Sequence, residues 1–400
     1  MFNMWYHGIL QPTLWQLIVA TLALTHVSII SVTLYLHRHS AHRSVQLHPA
    51  LKHFFRFWLW LTTGMNTRAW TAVHRRHHAC CETPDDPHSP RFKGLLTVLL
   101  RGAELYRAEA RNPETLQTYG RGCPDDWLER RLYSRFPNAG LGLMLGVDLV
   151  LFGVAGLTVW ALQMIWIAFW AAGVINGLGH AFGYRTFECP DDSSNLLPWG
   201  VLVGGEELHN NHHAYPGSAK LSVQAWEFDL GWAWICLLRA LGLAQVNRGL
   251  PTIQWDCDKR ALDLEASGVI LRNRLLVMAQ YGKRVMRPLA REESARCDAA
   301  TRHLLRRASR LLVRDPDRLS DLQQSLFHSA VGRSQVMQLA CAHRLALQRT
   351  WSDAGADLGE VHAALKRWVT EAEASGIRPL REFAGLLCSY SLYAPRQIVP

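Results

Sequence analysis

The chain has 400 residues, 49% of them hydrophobic, with 16 Trp, a formal charge of +10 and a mean hydropathy of −0.04. That length accommodates one membrane domain plus a soluble region, and the hydropathy excludes a chain embedded in lipid throughout. Nine Cys, an odd number with no CxxC pair, argue against a disulfide framework or a zinc ribbon and suit a reducing compartment.

No cleavable leader is expected, because the N-terminus lacks a basic region and runs directly into an apolar stretch. Leu14 to Leu36 is 23 residues without a formal charge, long enough to cross a bilayer. Arg38, Arg43, Lys52 and Arg56 follow it and none precedes it, so the positive-inside bias places residue 37 in the cytoplasm. Phe54 to Met65 is apolar but short and carries Arg56, which suits an interfacial or partly inserted helix. Residues 68–138 are polar and expected in the cytoplasm.

Leu141 to Phe182 has 42 residues and one formal charge, Asp148, before Arg185. Its length predicts a helical hairpin turning near Gly153 and Gly156. The expected fold is therefore all-α and membrane-integral, with about three transmembrane helices, the chain entering from outside and ending in the cytoplasm. Leu196–Val203 and Trp226–Leu243 read as interfacial or capping segments. From about residue 252 the pattern becomes Arg/Leu/Ala-rich with helical periodicity. The expected division is a membrane domain over 1–250 and a soluble, helical, basic extension over 251–400. That extension holds 23 Lys/Arg against 16 Asp/Glu, so +7 of the charge lies there. Such a surface attracts anionic lipid. No nucleic-acid recognition motif accompanies it, and nucleic acid is not an expected partner.

Thirteen of the 19 His lie between 37 and 213, mostly in clusters. They are His37-Arg-His39-Ser-Ala-His42, His74-Arg-Arg-His77-His78 and His209-Asn-Asn-His212-His213, with His180 alone at the end of the hairpin. In HxxHH the residues at i, i+3 and i+4 share one helix face, so three imidazoles converge. In HxxxxH the two His stand about 140° apart on a regular helix, which predicts that each reaches a different ion. All clusters and His180 fall at cytoplasmic ends of the expected spans, so they share one depth. Imidazole donors suit iron, copper, zinc and nickel alike. Glu-x-x-His is not repeated among these clusters, standing once at Glu206 and His209, and no Cys recurs with these His, which separates the pattern from the soluble di-iron carboxylate bundles.

At these residues the chain resembles the membrane-bound fatty acid desaturases, most closely the acyl delta-9 type found in bacteria and elsewhere. The resemblance covers roughly residues 15–245 through HRHSAHRS, HRRHH and HNNHH, with ETPDDPHSP, NGLGHAFGYR and GEELHNNHHAYP beside them. It implies an oxygen-dependent acyl desaturase that introduces a cis double bond into a long saturated chain, carried on coenzyme A or phospholipid, in unsaturated fatty acid biosynthesis. It implies two iron ions (Fe2+/Fe3+) held by His37, His42, His74, His77, His78, His180, His209, His212 and His213, with Asn176 holding a metal-bound water. Trp70 matches an aromatic residue of the substrate tunnel, and Glu206, Glu207 and Asp86 are candidates to orient imidazoles. Glu82 and Asp85 invite the same reading.

No residues beyond the metal ligands are expected to act catalytically. The implied partners are an acyl-CoA or acyl-lipid, membrane lipid, and a separate electron donor of the ferredoxin or cytochrome b5 kind with its reductase. No HPGG haem motif is present to supply a fused donor. The expected location is the bacterial inner membrane, with the site on the cytoplasmic side. His39, His26, His48 and His53 are expected not to ligate, and His88 is expected in a loop, within second-shell reach at most. Cys80 and Cys81 are expected to be structural.

The chain departs from the animal enzymes by one fewer span before the first box, by two Gly in NGLGH and by the helical tail. Two rival readings stand beside this one. A related membrane hydroxylase of alkanes, sterols or carotenoids would use the same His pattern. A metal-binding or transport protein would instead carry polar residues inside the spans.

Overall fold

The computed structural model describes residues 6–352 and 357–392. The chain forms two compact units, 1–250 and 251–400.

In the first unit, helix α1 (Leu14–Ile30) starts at a capping box in which Thr13 and Gln16 satisfy each other's backbone N–H groups. It continues as a wide π-helix over Ser31–Ala41. Helix α2 (Pro49–Thr63) packs against this extension and ends at Gly64 in the left-handed region. The Trp58 indole donates to Ser28, and Ser28 also meets Thr62. The apolar run at 54–65, expected at the interface, is thus most of a bundle helix. Its Arg56 is buried, held by Asp126 and Glu129 from a distant segment.

Helix α3 (Thr67–Cys80) is capped by the Asn66 side chain and carries the second His cluster. Helix α4 (Leu95–Glu109) lies within the segment read as polar, yet its LLTVLL start packs against the hairpin. Gly102 permits this approach, since a Cβ there would stand 2.0 Å from the Ala172 carbonyl oxygen.

The long apolar stretch is a hairpin of α5 (Ala139–Phe152) and α6 (Gly156–Phe169), which packs along α5 and continues as a π-helix over Trp170–Ile175. Gly153 makes the turn at φ 64°, ψ −144°, where a side chain would collide with the Tyr6 carbonyl. Asp148, the charge in the stretch, is buried and accepts a hydrogen bond from Gln163 across the hairpin. Two stretches, Leu14–Ala41 and Ala139–Leu178, are long and apolar enough to cross a membrane. Their outward side chains, such as Leu14, Trp15, Leu143, Val150 and Ile165, are exposed apolar groups of the kind lipid would cover.

After the hairpin, loops lead to a short helix α7 (His209–Ala214) and to α8 (Leu230–Ala240). Strand Val45–Leu47 pairs antiparallel with Ala244–Val246, tying the end of the unit to its first cluster. The core gathers Leu34, Tyr35, Leu36, Val45, Leu47, Leu59, Ile167 and Ile235.

The second unit is helical: α9 (Leu264–Arg272), α10 (Arg274–Tyr281), α11 (Arg287–Arg296), α12 (Ala299–Ala308), α13 (Asp321–Val331), α14 (Gln335–Arg349), α15 (Leu358–Ala374) and α16 (Arg378–Cys388). Its own core centres on Tyr281, Leu365, Trp368 and Phe383. The Tyr281 hydroxyl and the Trp368 indole satisfy backbone carbonyls at Ala340 and His343.

Candidate metal centre

The nine expected histidines converge. In one group, His37, His42, His74 and His212 bring one ring nitrogen each within 4.8 Å of one another. His37 Nε2 lies 3.1 Å from His212 Nε2, and His42 Nε2 lies 2.7 Å from His74 Nε2. His78 joins this group, its Nε2 2.9 Å from that of His212. In the other group, His77, His180 and His213 converge with the Cys81 sulfur. His209 joins it through a 3.0 Å separation between its Nε2 and that of His180.

The sharing of one group by His37 and His42 corrects the expectation drawn from HxxxxH. The segment is not a regular α-helix. The backbone N–H of His42 donates to the carbonyl of His37, five residues back, and this wider turn returns the chain to the same side. Their rings lie 4.6 Å apart. Two ions are therefore suggested by the two groups, not by the spacing of the first cluster.

Carboxylates fix the outer nitrogens. The Nδ1 atoms of His77, His180 and His213 bond to Asp86, Glu82 and Asp191 at 3.1, 2.9 and 3.1 Å. Glu206 Oε1 lies 2.9 Å from His37 Nδ1. An Nδ1–H that donates to a carboxylate leaves Nε2 as a lone-pair acceptor. His77 and His213 are both in that state, and their Nε2 atoms face each other at 3.4 Å. Two lone pairs at that distance repel unless a cation lies between them. The donor set thus fits metal ions, and these imidazoles are the residues that can hold them.

Glu207 does not orient an imidazole. It is buried and accepts from the backbone N–H groups of Leu202, Val203 and Gly205, which shapes the loop before α7. Asp85 is exposed and faces Arg76. His88 is buried, with its ring 4.3 Å from that of His77, because Asp86 accepts its backbone N–H and folds the segment inward. Cys81 lies nearer the centre than expected, its sulfur 4.0 Å from His77 Nε2 and 3.9 Å from His213 Nδ1. His39 turns away to the Val45 carbonyl, and His26 accepts from the Trp234 indole. Asp191 was not anticipated; it stands 22 residues before His213, in a loop with no helical spacing to reveal it.

An apolar cavity adjoins the imidazoles. Trp70, stacked 4.8 Å from His74, lines it together with His37, His209, Asn176, Met65, Met164 and Ile167. Asn176 lies four residues before His180 on the hairpin's end.

A family model described as fatty acid desaturase matches residues 13–234, more than half of the chain. The chain belongs to the fatty acid desaturase family. It is 34% identical to an sn-1 stearoyl-lipid 9-desaturase of Anabaena variabilis over 54% of this chain and 77% of that protein. It is 29% identical to a delta-9 acyl-lipid desaturase of Arabidopsis thaliana, over 58% of this chain and 74% of that one. It is 30% identical to an acyl-CoA 5-desaturase of Anemone leveillei, over 54% and 66%. Within the second unit, residues 277–391 match a family model described as transposase.

In this desaturase, burial and the neighbouring imidazoles hold His74, His78, His209, His212 and His213 well below the ordinary value of 6.5. Burial pushes the Asp86 carboxyl up, but its interactions with His77 and His88 outweigh that and hold the group below its usual range. A depressed imidazole binds fewer protons folded than unfolded, so stability rises with pH between its folded value and 6.5. The metal-free protein should lose thermal stability steadily as pH falls below 6.5. A melting temperature unchanged from pH 8 to pH 5 would contradict this. Asp191→Asn, which replaces the charged acceptor for His213 with a neutral amide, should weaken metal binding by about 10–100-fold in a chelator competition.

Proposed function

We propose that this protein is a di-iron fatty acyl desaturase that introduces a cis double bond, at position 9, into a long saturated acyl chain carried on coenzyme A or phospholipid. The observation that carries the reading is the convergence of nine imidazoles, five buried and four half-buried, into two groups beside an apolar cavity. Position 9 is supported by the names of two of the relatives above.

When bound, the irons would supply the oxygen activation that removes two hydrogens from adjacent methylenes. The chain's own residues do the rest. His37, His42, His74, His78 and His212 would hold one ion, and His77, His180, His209 and His213 the other. Asp86, Glu82 and Asp191 keep the Nδ1 atoms of His77, His180 and His213 engaged and so aim Nε2 inward, and Glu206 stands beside His37 Nδ1. Asn176, on the cavity wall, would hold a metal-bound water. Trp70, Met164 and Ile167 exclude bulk water and hold one carbon pair against the centre.

A separate ferredoxin- or cytochrome b5-like protein would deliver electrons. The apolar stretches would give three crossings of a bacterial inner membrane, with the centre at its cytoplasmic face. Residues 1–250 would be the desaturase domain and 251–400 a helical basic extension.

The test is fatty-acid profiling by gas chromatography–mass spectrometry with derivatives that locate double bonds, in cells expressing the wild type or His213→Ala with a donor supplied. A new monounsaturated chain in the wild type alone is expected. A hydroxylated lipid with no new double bond would move the protein to the hydroxylases, and metal loading without oxygen-dependent product would favour a binding protein.

A further inference from the structure

The second unit carries a cluster of cations that desaturation does not use. Helices α11 and α12 pack against each other and form a groove lined by Arg287, Arg291, Arg302, Arg306 and Arg310, with Ser294 and Ser309 among them. No acidic side chain lines it. Four of the arginines are exposed, and Arg302 is half-buried, braced by the carbonyls of Ser294 and Cys297. Among the described residues none of the five forms an ion pair. The nearby Glu293 is engaged by the Ser334 hydroxyl.

The spacing is unfavourable for the helices by themselves. Arg287 and Arg291 stand at i, i+4 on one wall, and Arg302 and Arg306 repeat that spacing on the other, with Arg310 in the turn after α12. Like charges at this spacing repel across a helix surface, and an anion seated between the walls relieves both rows together. Guanidinium groups match the oxygens of a phosphate bidentately, which an ammonium does not. All five cations here are Arg.

We propose that this groove binds the phosphate of an anionic phospholipid head group. The choice of a head group rests on the reading of the first unit as membrane-embedded. A unit on the same chain as Leu14–Ala41 and Ala139–Leu178 meets a bilayer surface at high effective concentration. Exposed guanidiniums suit a ligand that arrives as part of a surface. The same phosphate chemistry is offered by free phosphate, and the experiment separates the two.

The full-length protein in neutral-detergent micelles is titrated with dihexanoylphosphatidylglycerol, dihexanoylphosphatidylcholine, inorganic phosphate or a single-stranded oligonucleotide. Calorimetry gives affinity, and amide hydrogen exchange gives location. Saturable binding of phosphatidylglycerol is expected, much tighter than phosphatidylcholine or phosphate, with slowed exchange confined to 287–310. The double variant Arg291→Gln/Arg306→Gln should weaken it by at least about tenfold. The double Lys variant, which keeps charge and fold, should fall between.

Phosphate binding as tightly as the lipid would make this a free-phosphate site and overturn the proposal. So would preference for the oligonucleotide, protection outside 287–310, or unchanged affinity in the Gln variant. These readings in micelles do not depend on whether the first unit spans a bilayer. Carbonate extraction of membranes from expressing cells tests that separately, and release of the chain into the soluble fraction would sink the membrane reading while leaving the groove's affinity as measured.

Discussion

His77→Ala and His213→Ala are each expected to abolish the formation of monounsaturated chains and to lower the metal content of the purified protein. The two Nε2 atoms face each other at 3.4 Å while both Nδ1 atoms are committed to carboxylates, so each side chain offers one lone pair to the same point. Removing a direct donor should exceed the roughly 10–100-fold effect of removing an orienting carboxylate. The comparison with Asp191→Asn therefore ranks the residues: partial loss for the aspartate, complete loss for the histidines. Far-ultraviolet circular dichroism should show that helical content is kept. Wild-type activity in either His variant would contradict the assignment of these two imidazoles.

The second large effect concerns folding. Arg38→Ala should destabilise the first unit by about 3–5 kcal/mol, the cost of breaking a buried ion pair by removing one partner. Arg38 is fully buried, pairs with Asp229 at 2.8 Å and donates to the carbonyls of Ala219 and Gly204. Asp229 in turn accepts from the N–H groups of Leu221 and Trp232 and caps α8. The arginine thus pins the loops on either side of α7 to the end of the first span, next to His37. Thermal unfolding in detergent measures the loss. A change below about 1 kcal/mol would show that the pair is dispensable. A variant at Arg101, whose partner Glu104 is exposed like itself, serves as the contrasting surface pair and should change little.

Much of this was legible in the sequence because the signals are local. HxxHH on a helix face, the length of Leu141–Phe182 and the absence of charge from Leu14 to Leu36 each depend only on neighbours in the chain. What the sequence hid depends on distant partners or on departures from regular geometry. The π-helix at Ser31–Ala41 has no local signature, so HxxxxH read as two directions when the backbone supplies one. Arg56 looked like a charge that would keep its helix at the interface; its partners lie about 70 residues away. Asp191 and Glu207 are both acidic residues in loops near a His box, and only the fold tells which one turns to an imidazole and which to backbone N–H groups. His88 stands in a polar loop, where the sequence predicts at most a contact behind the ligands, and the Asp86 turn carries it inside against His77.

The most direct test of the two-centre account is the metal content of the purified full-length protein by inductively coupled plasma mass spectrometry, for the wild type beside His42→Ala and His180→Ala. The account predicts about two irons per wild-type chain. It predicts that each variant loses one ion preferentially, because His42 and His180 belong to different groups. A single iron in the wild type, or full zinc occupancy with no iron, would contradict it.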